Sequence, residues 1–143
     1  MKTRAFLFSS KSYPDLSILV LRIVGGGLMV SLHGWKKLFS GPERWSKLGS
    51  TLTDFVGMDL LSIPLGFLAS FSESIGALLL IIGLYTRPAA ALLAFTMLVA
   101  VLKKLPMGLK SAELPLLFFG ITIAILLFGA GKISIDYFLK NKK

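Results

Sequence analysis

Four long apolar blocks, at 16–38, 64–85, 88–105 and 112–131, make up most of this chain and leave few architectures open to it. Crossing ~30 Å of hydrocarbon takes about 17–25 residues of helix, and each block meets that length. Lipid offers no partner to a free backbone N–H or C=O, and the blocks are too long for spanning strands, so the spanning element is a helix. The apolar residues run on without a 3.6- or 2-residue alternation, so no face is left for water. The second and third blocks meet at Tyr85-Thr86-Arg87-Pro88, a tight hairpin. The predicted fold is therefore all-α: an integral membrane four-helix antiparallel bundle, built as a single domain over residues 1–143.

Composition removes whole classes of chemistry. Only 16% of residues are charged and 55% are hydrophobic, where a soluble domain carries about 25% charged residues. There is no cysteine, which excludes a structural disulfide, a thiol relay, an iron–sulfur cluster and a thiolate metal site carried by this chain alone. The single histidine cannot supply bis-histidine ligation of a haem. No metal site is expected, and any redox chemistry has to come from a diffusible cofactor or a partner subunit. The net charge of +9 resides in basic residues flanking the apolar blocks, which points to the lipid bilayer as partner and not to nucleic acid. The first block does not read as a cleaved signal peptide: it is too long, contains Arg22 and lacks a small-x-small site.

The connections carry the remaining local signals. A polar and basic leader covers 1–15. In the longest connection, 41–63, Trp45, Leu48, Leu52 and Phe55 recur at helical spacing against Lys47, Ser50, Thr51 and Asp54. That pattern predicts an amphipathic helix on the membrane surface, with a short re-entrant cap as the rival reading. Ser62, Thr86 and Ser111, each with proline close behind, read as hydroxyl caps opening the last three spans. Gly129-Ala130-Gly131 reads as the stop of the fourth. Lys2, Arg4, Lys11, Arg87, Lys132, Lys140, Lys142 and Lys143 fall on one side of the bundle. Lys36, Lys37, Arg44, Lys47, Lys103, Lys104 and Lys110 fall on the other. With Arg22 near the first set, the balance favours both termini in the cytoplasm.

Two charges inside the spans are the handle on function. An ionisable side chain near a bilayer centre costs roughly 2.5–3.5 kcal/mol on insertion scales, so it usually has a partner or a task. Arg22, Gly26, Met29 and His33 share one stripe of the first helix, and Gly66, Ser70, Glu73, Ala77 and Leu80 share one of the second. At ~1.5 Å per residue, Arg22 lies about 9 Å inside one face and Glu73 about 15–18 Å from that face, so a leaning arginine is expected to reach Glu73. That pair admits two readings: a lock between two helices, or the lining of a polar cavity in which Glu73 exchanges a proton. His33 reads as an interfacial hydrogen-bond donor or as a partner for a quinone-like carbonyl. Arg87 reads as a headgroup anchor. The sequence contains no Walker loop, HExxH or Gly-x-Ser-x-Gly, and no self-contained catalytic site is visible.

Leu21-Arg22, His33-Gly34-Trp35-x-Lys37-Leu38, Glu73-x-x-Gly76-x-x-Leu79, Gly83-x-x-Thr86-Arg87 and the ending Gly131-Lys132-x-Ser134-x-Asp136 follow one another across about residues 16–137. In this order they resemble the DoxX family of small four-helix membrane proteins. The resemblance implies candidate site residues at Arg22, His33 and Glu73, supported by Lys37 and Arg87. It also implies a link to membrane oxidoreductase complexes, including quinone-linked sulfur oxidation, and to thiol and oxidative stress resistance. Lack of cysteine argues against a direct sulfur relay. The expectation is an inner-membrane accessory subunit of a quinone-linked redox system, with a redox subunit as partner. The alternatives are a small-solute or lipid carrier and a membrane assembly factor. Small-residue stripes at Ala89-Ala90-Ala91-x-x-Ala94 and Gly120-x-x-x-Ala124 leave a homo-oligomer open.

Overall fold

The computed structural model describes residues 12–142. The leader charges Lys2, Arg4 and Lys11, and Lys143 at the other end, lie outside the described residues. Every regular element described is helical. Four helices have the length and apolarity of membrane spans: α1 (Pro14–Leu38), α3 (Asp59–Ile82), α4 (Thr86–Met107) and α5 (Leu109–Phe128). Between the first two lies α2 (Pro42–Val56), and a short α6 (Ile135–Lys140) follows α5. The predicted four-helix membrane bundle is the observed architecture.

The packing follows from where side chains are small. A Cβ on Gly26 would fall 2.9 Å from the carbonyl of Ala77 and 2.7 Å from Ile81, so α1 crosses the second half of α3 nearly backbone to backbone. Gly25 makes room for a side chain of α5, since a Cβ there would fall 2.9 Å from the Ile121 Cγ2. Of the run Gly25-Gly26-Gly27, the first two members thus make the close contacts, and Gly27 has open space around it. Ile18, Met29, Leu80, Leu93, Met97, Phe118 and Ile125 fill the space between the spans. Val20, Val24, Phe95, Leu117 and Leu127 stay exposed around the outside, where bilayer tails are as good a solvent for them as the bundle interior.

The amphipathic helix of the connection exists, but it is packed and not merely laid on a surface. Gly49 of α2 sits against the Ser62 carbonyl and Gly66 of α3 against the Trp45 carbonyl, with no room for a side chain at either place. The Trp45 ring meets Phe67 edge-on with centroids 5.0 Å apart, and its Nε1 donates to the Lys37 carbonyl at 3.0 Å. This joins α2 to the end of α1 as well as to the first half of α3.

The helix starts depart from the expected hydroxyl caps. α3 already begins at Asp59 with a 3-10 turn, Asp59–Leu61, so Ser62 enters a helix in progress. Thr86 Oγ1 caps nothing and has no hydrogen-bond partner; the free N–H groups of Tyr85 and Thr86 are taken by the Asp136 carboxylate at 2.8 and 2.9 Å. Ser111 lies inside α5, which starts at Leu109. The side-chain cap seen is Ser134, whose Oγ accepts from the Tyr137 N–H at 3.2 Å and starts α6. The predicted stop after α5 is observed, with Gly129 and Gly131 at φ +81° and +72°.

Candidate functional site

Two helices widen into π turns, and they do so where they touch. Val30–Gly34 of α1 and Ser72–Gly76 of α3 are both π turns. Gly34 lies so close to the Glu73 carbonyl that a Cβ there would overlap it. Wide turns of this kind often mark functional positions, because they re-aim one side chain and loosen the backbone ladder. Here they aim His33 from one turn and Glu73 from the other.

The Glu73 carboxylate is 4% exposed and pairs with the Lys37 ammonium. The expected Arg22–Glu73 pair is not formed. Arg22 bonds to carbonyls at the end of α3, and about 10 Å of helix axis separates Leu80 from Glu73, too far for one guanidinium to serve both. Lys37, placed by sequence at an interface, is carried inward because α1 continues through its π turn to Leu38.

Beside the ion pair lies a cavity of about 310 Å³, at the small end of the roughly 300–1,000 Å³ typical of ligand sites. His33, Lys37 and Glu73 line one wall; Met29, Leu48, Leu52, Leu68, Phe95 and Phe118 make it apolar elsewhere. His33 lies edge-on to Phe118 at 6.3 Å. Lys103 and Lys104 of α4 also line it, and Lys103 Nζ donates to Thr51 Oγ1 of α2 at 2.6 Å. Sequence reasoning missed these two lysines: they sit in a basic helix end that reads as a membrane anchor. Among the described residues no three His, Cys, Asp or Glu side chains come together as a metal site. The wall does suit a ligand with a carbonyl head and apolar body, since Lys37 and His33 carry N–H groups and most of the remaining lining is hydrocarbon, with Thr51, Thr96, Lys103 and Lys104 the polar exceptions.

Arg22 belongs to a second polar centre at the opposite end. Nε donates to the Leu80 carbonyl at 2.7 Å and Nη2 to Ile81 at 2.9 Å, while Nη1 serves Ala130 at 2.7 Å and Ile133 at 2.9 Å. The guanidinium, 1% exposed, thereby ties the end of α3 to the segment after α5. Gly83, at φ +71°, makes the room, because a Cβ there would collide with Nη2. Asp136 completes this end: its N–H donates to the Gly83 carbonyl at 2.8 Å while its carboxylate caps α4. Burial pushes the Asp136 carboxyl upward, but the Thr86 and Tyr85 N–H groups and the Arg22 charge outweigh it and hold it below the ordinary value. Arg87 is exposed at this same end. The five candidate residues therefore divide, with His33, Lys37 and Glu73 at the cavity and Arg22 and Arg87 away from it.

The DoxX family model matches residues 17–104, from α1 almost to the end of α4. The chain belongs to the DoxX family. The matched region of this DoxX protein contains both π turns, the Lys37–Glu73 pair, Arg22 and Arg87, whereas α5 and the Gly131-to-Asp136 ending lie beyond it. No curated protein and no solved structure matches the chain.

Proposed function

We propose that this DoxX protein is an accessory subunit of a membrane redox system and holds a small lipophilic ligand of the quinone class in the cavity beside Lys37 and Glu73. The observation that carries this reading is the placement of a buried ion pair and the chain's one histidine together in the lining of a mostly apolar cavity. A quinone, when bound, would supply the two-electron chemistry. The chain's own part is to donate hydrogen bonds to a carbonyl from Lys37 and His33, to keep water out with the leucine and phenylalanine walls, and to position the Lys37 ammonium through its pair with Glu73. Electrons would come from a diffusible cofactor or a partner subunit, because the chain has no cysteine and one histidine. The charge balance of the connections favours the inner membrane with both termini in the cytoplasm.

Lys103 and Lys104 in the same cavity favour a second reading, a carrier for a small solute or lipid with an accepting head. Native mass spectrometry after gentle extraction, with lipid and quinone analysis of the same sample, separates the two. A stoichiometric quinone or redox subunit, lost in Glu73→Gln at unchanged protein level, is the expected result. Protein carrying only bulk phospholipid overturns the proposal, and flux through liposomes containing the pure protein would then assign the carrier.

A further inference from the structure

At the Arg22 end a second concavity, about 550 Å³, opens between the α3–α4 hairpin, the segment after α5 and α6. Its lining includes Asp15, Arg87, Lys132, Asp136 and Lys140. Both acids are already committed to backbone: Asp15 Oδ1 accepts from the Lys132 N–H at 2.8 Å, and Asp136 accepts from Tyr85 and Thr86. Among the described residues the one ion pair is Lys37–Glu73, at the other end of the bundle, so the side chains of Arg87, Lys132 and Lys140 face this cleft without an acidic partner. Residues 1–11, which lie outside the described residues, contain no Asp or Glu. The Arg87 guanidinium lies beside Gly129, where a Cβ would make ordinary van der Waals contact with Nε at 3.5 Å and Nη2 at 3.7 Å.

The surroundings say which anion. Phe128 is 69% exposed, Tyr85 67% and Tyr137 42%, and all three line the same cleft. Exposed aromatic rings beside a cluster of cations at the end of membrane spans are suited to the headgroup level of a bilayer. A planar guanidinium and two ammonium groups lining one cleft are suited to phosphate oxygens.

We infer that this cleft is a binding site for a phosphate-bearing anion, an anionic phospholipid headgroup, held by Arg87, Lys132 and Lys140. It is independent of the cavity at Glu73, and the family match ends before two of its three cations.

The test is native mass spectrometry of the full chain released from mixed micelles of equimolar phosphatidylglycerol and phosphatidylcholine, with equilibrium dialysis against inorganic phosphate alongside. The expected result is one phosphatidylglycerol retained in preference to phosphatidylcholine. That preference should fall about fivefold for each cation removed in Arg87→Gln, Lys132→Gln and Lys140→Gln. Lys36→Gln, Lys47→Gln and Lys110→Gln, which remove the same charge at the other end, should leave it unchanged. Saturable inorganic phosphate binding, lost in the first three variants and unaccompanied by a lipid preference, keeps the site and assigns it to a soluble phosphate. Equal retention of both lipids without phosphate binding overturns the proposal, as does equal loss in both sets of variants.

Discussion

Lys37 of α1 and Glu73 of α3 neutralise each other across two facing π turns, about two helical turns away from the carbonyls that hold Arg22. Their burial is unequal, with the Lys37 side chain 22% exposed and that of Glu73 5%. Removing either partner therefore strands a different kind of charge. Lys37→Met leaves an enclosed carboxyl without a cation and should cost about 3–5 kcal/mol. Glu73→Gln leaves an ammonium that can turn toward water and should cost less, roughly 1–2 kcal/mol. Lys37→Met combined with Glu73→Gln should recover most of the larger loss. Thermal unfolding in detergent, followed by helical circular dichroism, checks the order. A double variant as weak as the sum of the singles would mean that the two side chains do not interact.

Arg22 is expected to resist even its conservative replacement. Four carbonyls from two segments converge on one planar fork, and a lysine ammonium has three donors in a different geometry. Arg22→Lys should cost about 3 kcal/mol or more, from charged hydrogen bonds left unmade. Gly83→Ala should mimic it, since the new Cβ both strains a left-handed backbone and displaces the guanidinium. Limited proteolysis after Ala130 reads out the effect, with cleavage expected in either variant well before the bundle melts.

Which parts of this were legible in the sequence follows from the range of each interaction. The spans were legible because hydropathy is a property of each block alone; α1 and α4 begin within two residues of expectation, at Pro14 and Thr86. The start of α3 was misplaced, because Asp59–Leu61 is polar at one end and is held as a 3-10 turn by its junction with α2. The partner of Glu73 was misread for a geometric reason. A uniform 3.6-residue count puts Arg22 and Glu73 on facing stripes, but it cannot foresee that four carbonyls converge on Arg22 about 10 Å along the helix axis from Glu73. Asp136, so far from Thr86 in sequence, replaced the expected hydroxyl cap, and only the tertiary fold brings it there.

Asp136 gives the fold a definite pH signature. Its carboxyl titrates below the ordinary value near 3.8 in the folded protein, because cap hydrogen bonds and Arg22 outweigh burial. A depressed folded-state value means that the ionised form stabilises the fold. The contribution is fully present above the unfolded-state value and is lost as pH falls through the folded one. The stability difference between the protein and Asp136→Asn should therefore be constant from neutral pH down to about 5 and shrink below 4. Melting temperatures of both proteins from pH 3 to 7 test this. A difference that grows on acidification would contradict the assignment.

The last prediction concerns how α2 is attached, since it forms one wall of the cavity. Its contact with α3 depends on two missing side chains, Gly49 against the Ser62 carbonyl and Gly66 against the Trp45 carbonyl. Neither glycine has a positive φ, so a replacement at either position acts through space and not through backbone strain. Gly49→Val or Gly66→Val should push α2 off α3, break the Trp45 bond to the Lys37 carbonyl and open the cavity on the side of Leu48 and Leu52. Hydrogen exchange should then rise across Pro42–Val56 while α4 and α5, which pack against each other elsewhere, stay protected. Ligand retention should fall in the same variants even though Lys37, Glu73 and His33 are untouched, because the wall that excludes water has gone. Gly57→Ala lies at the end of the same helix with open space around it and a φ of +71°. It should cost about 1 kcal/mol through backbone strain alone and leave exchange within α2 nearly unchanged. If Gly57→Ala freed α2 as much as Gly66→Val, then the turn after the helix, and not the glycine contact, would be what holds it.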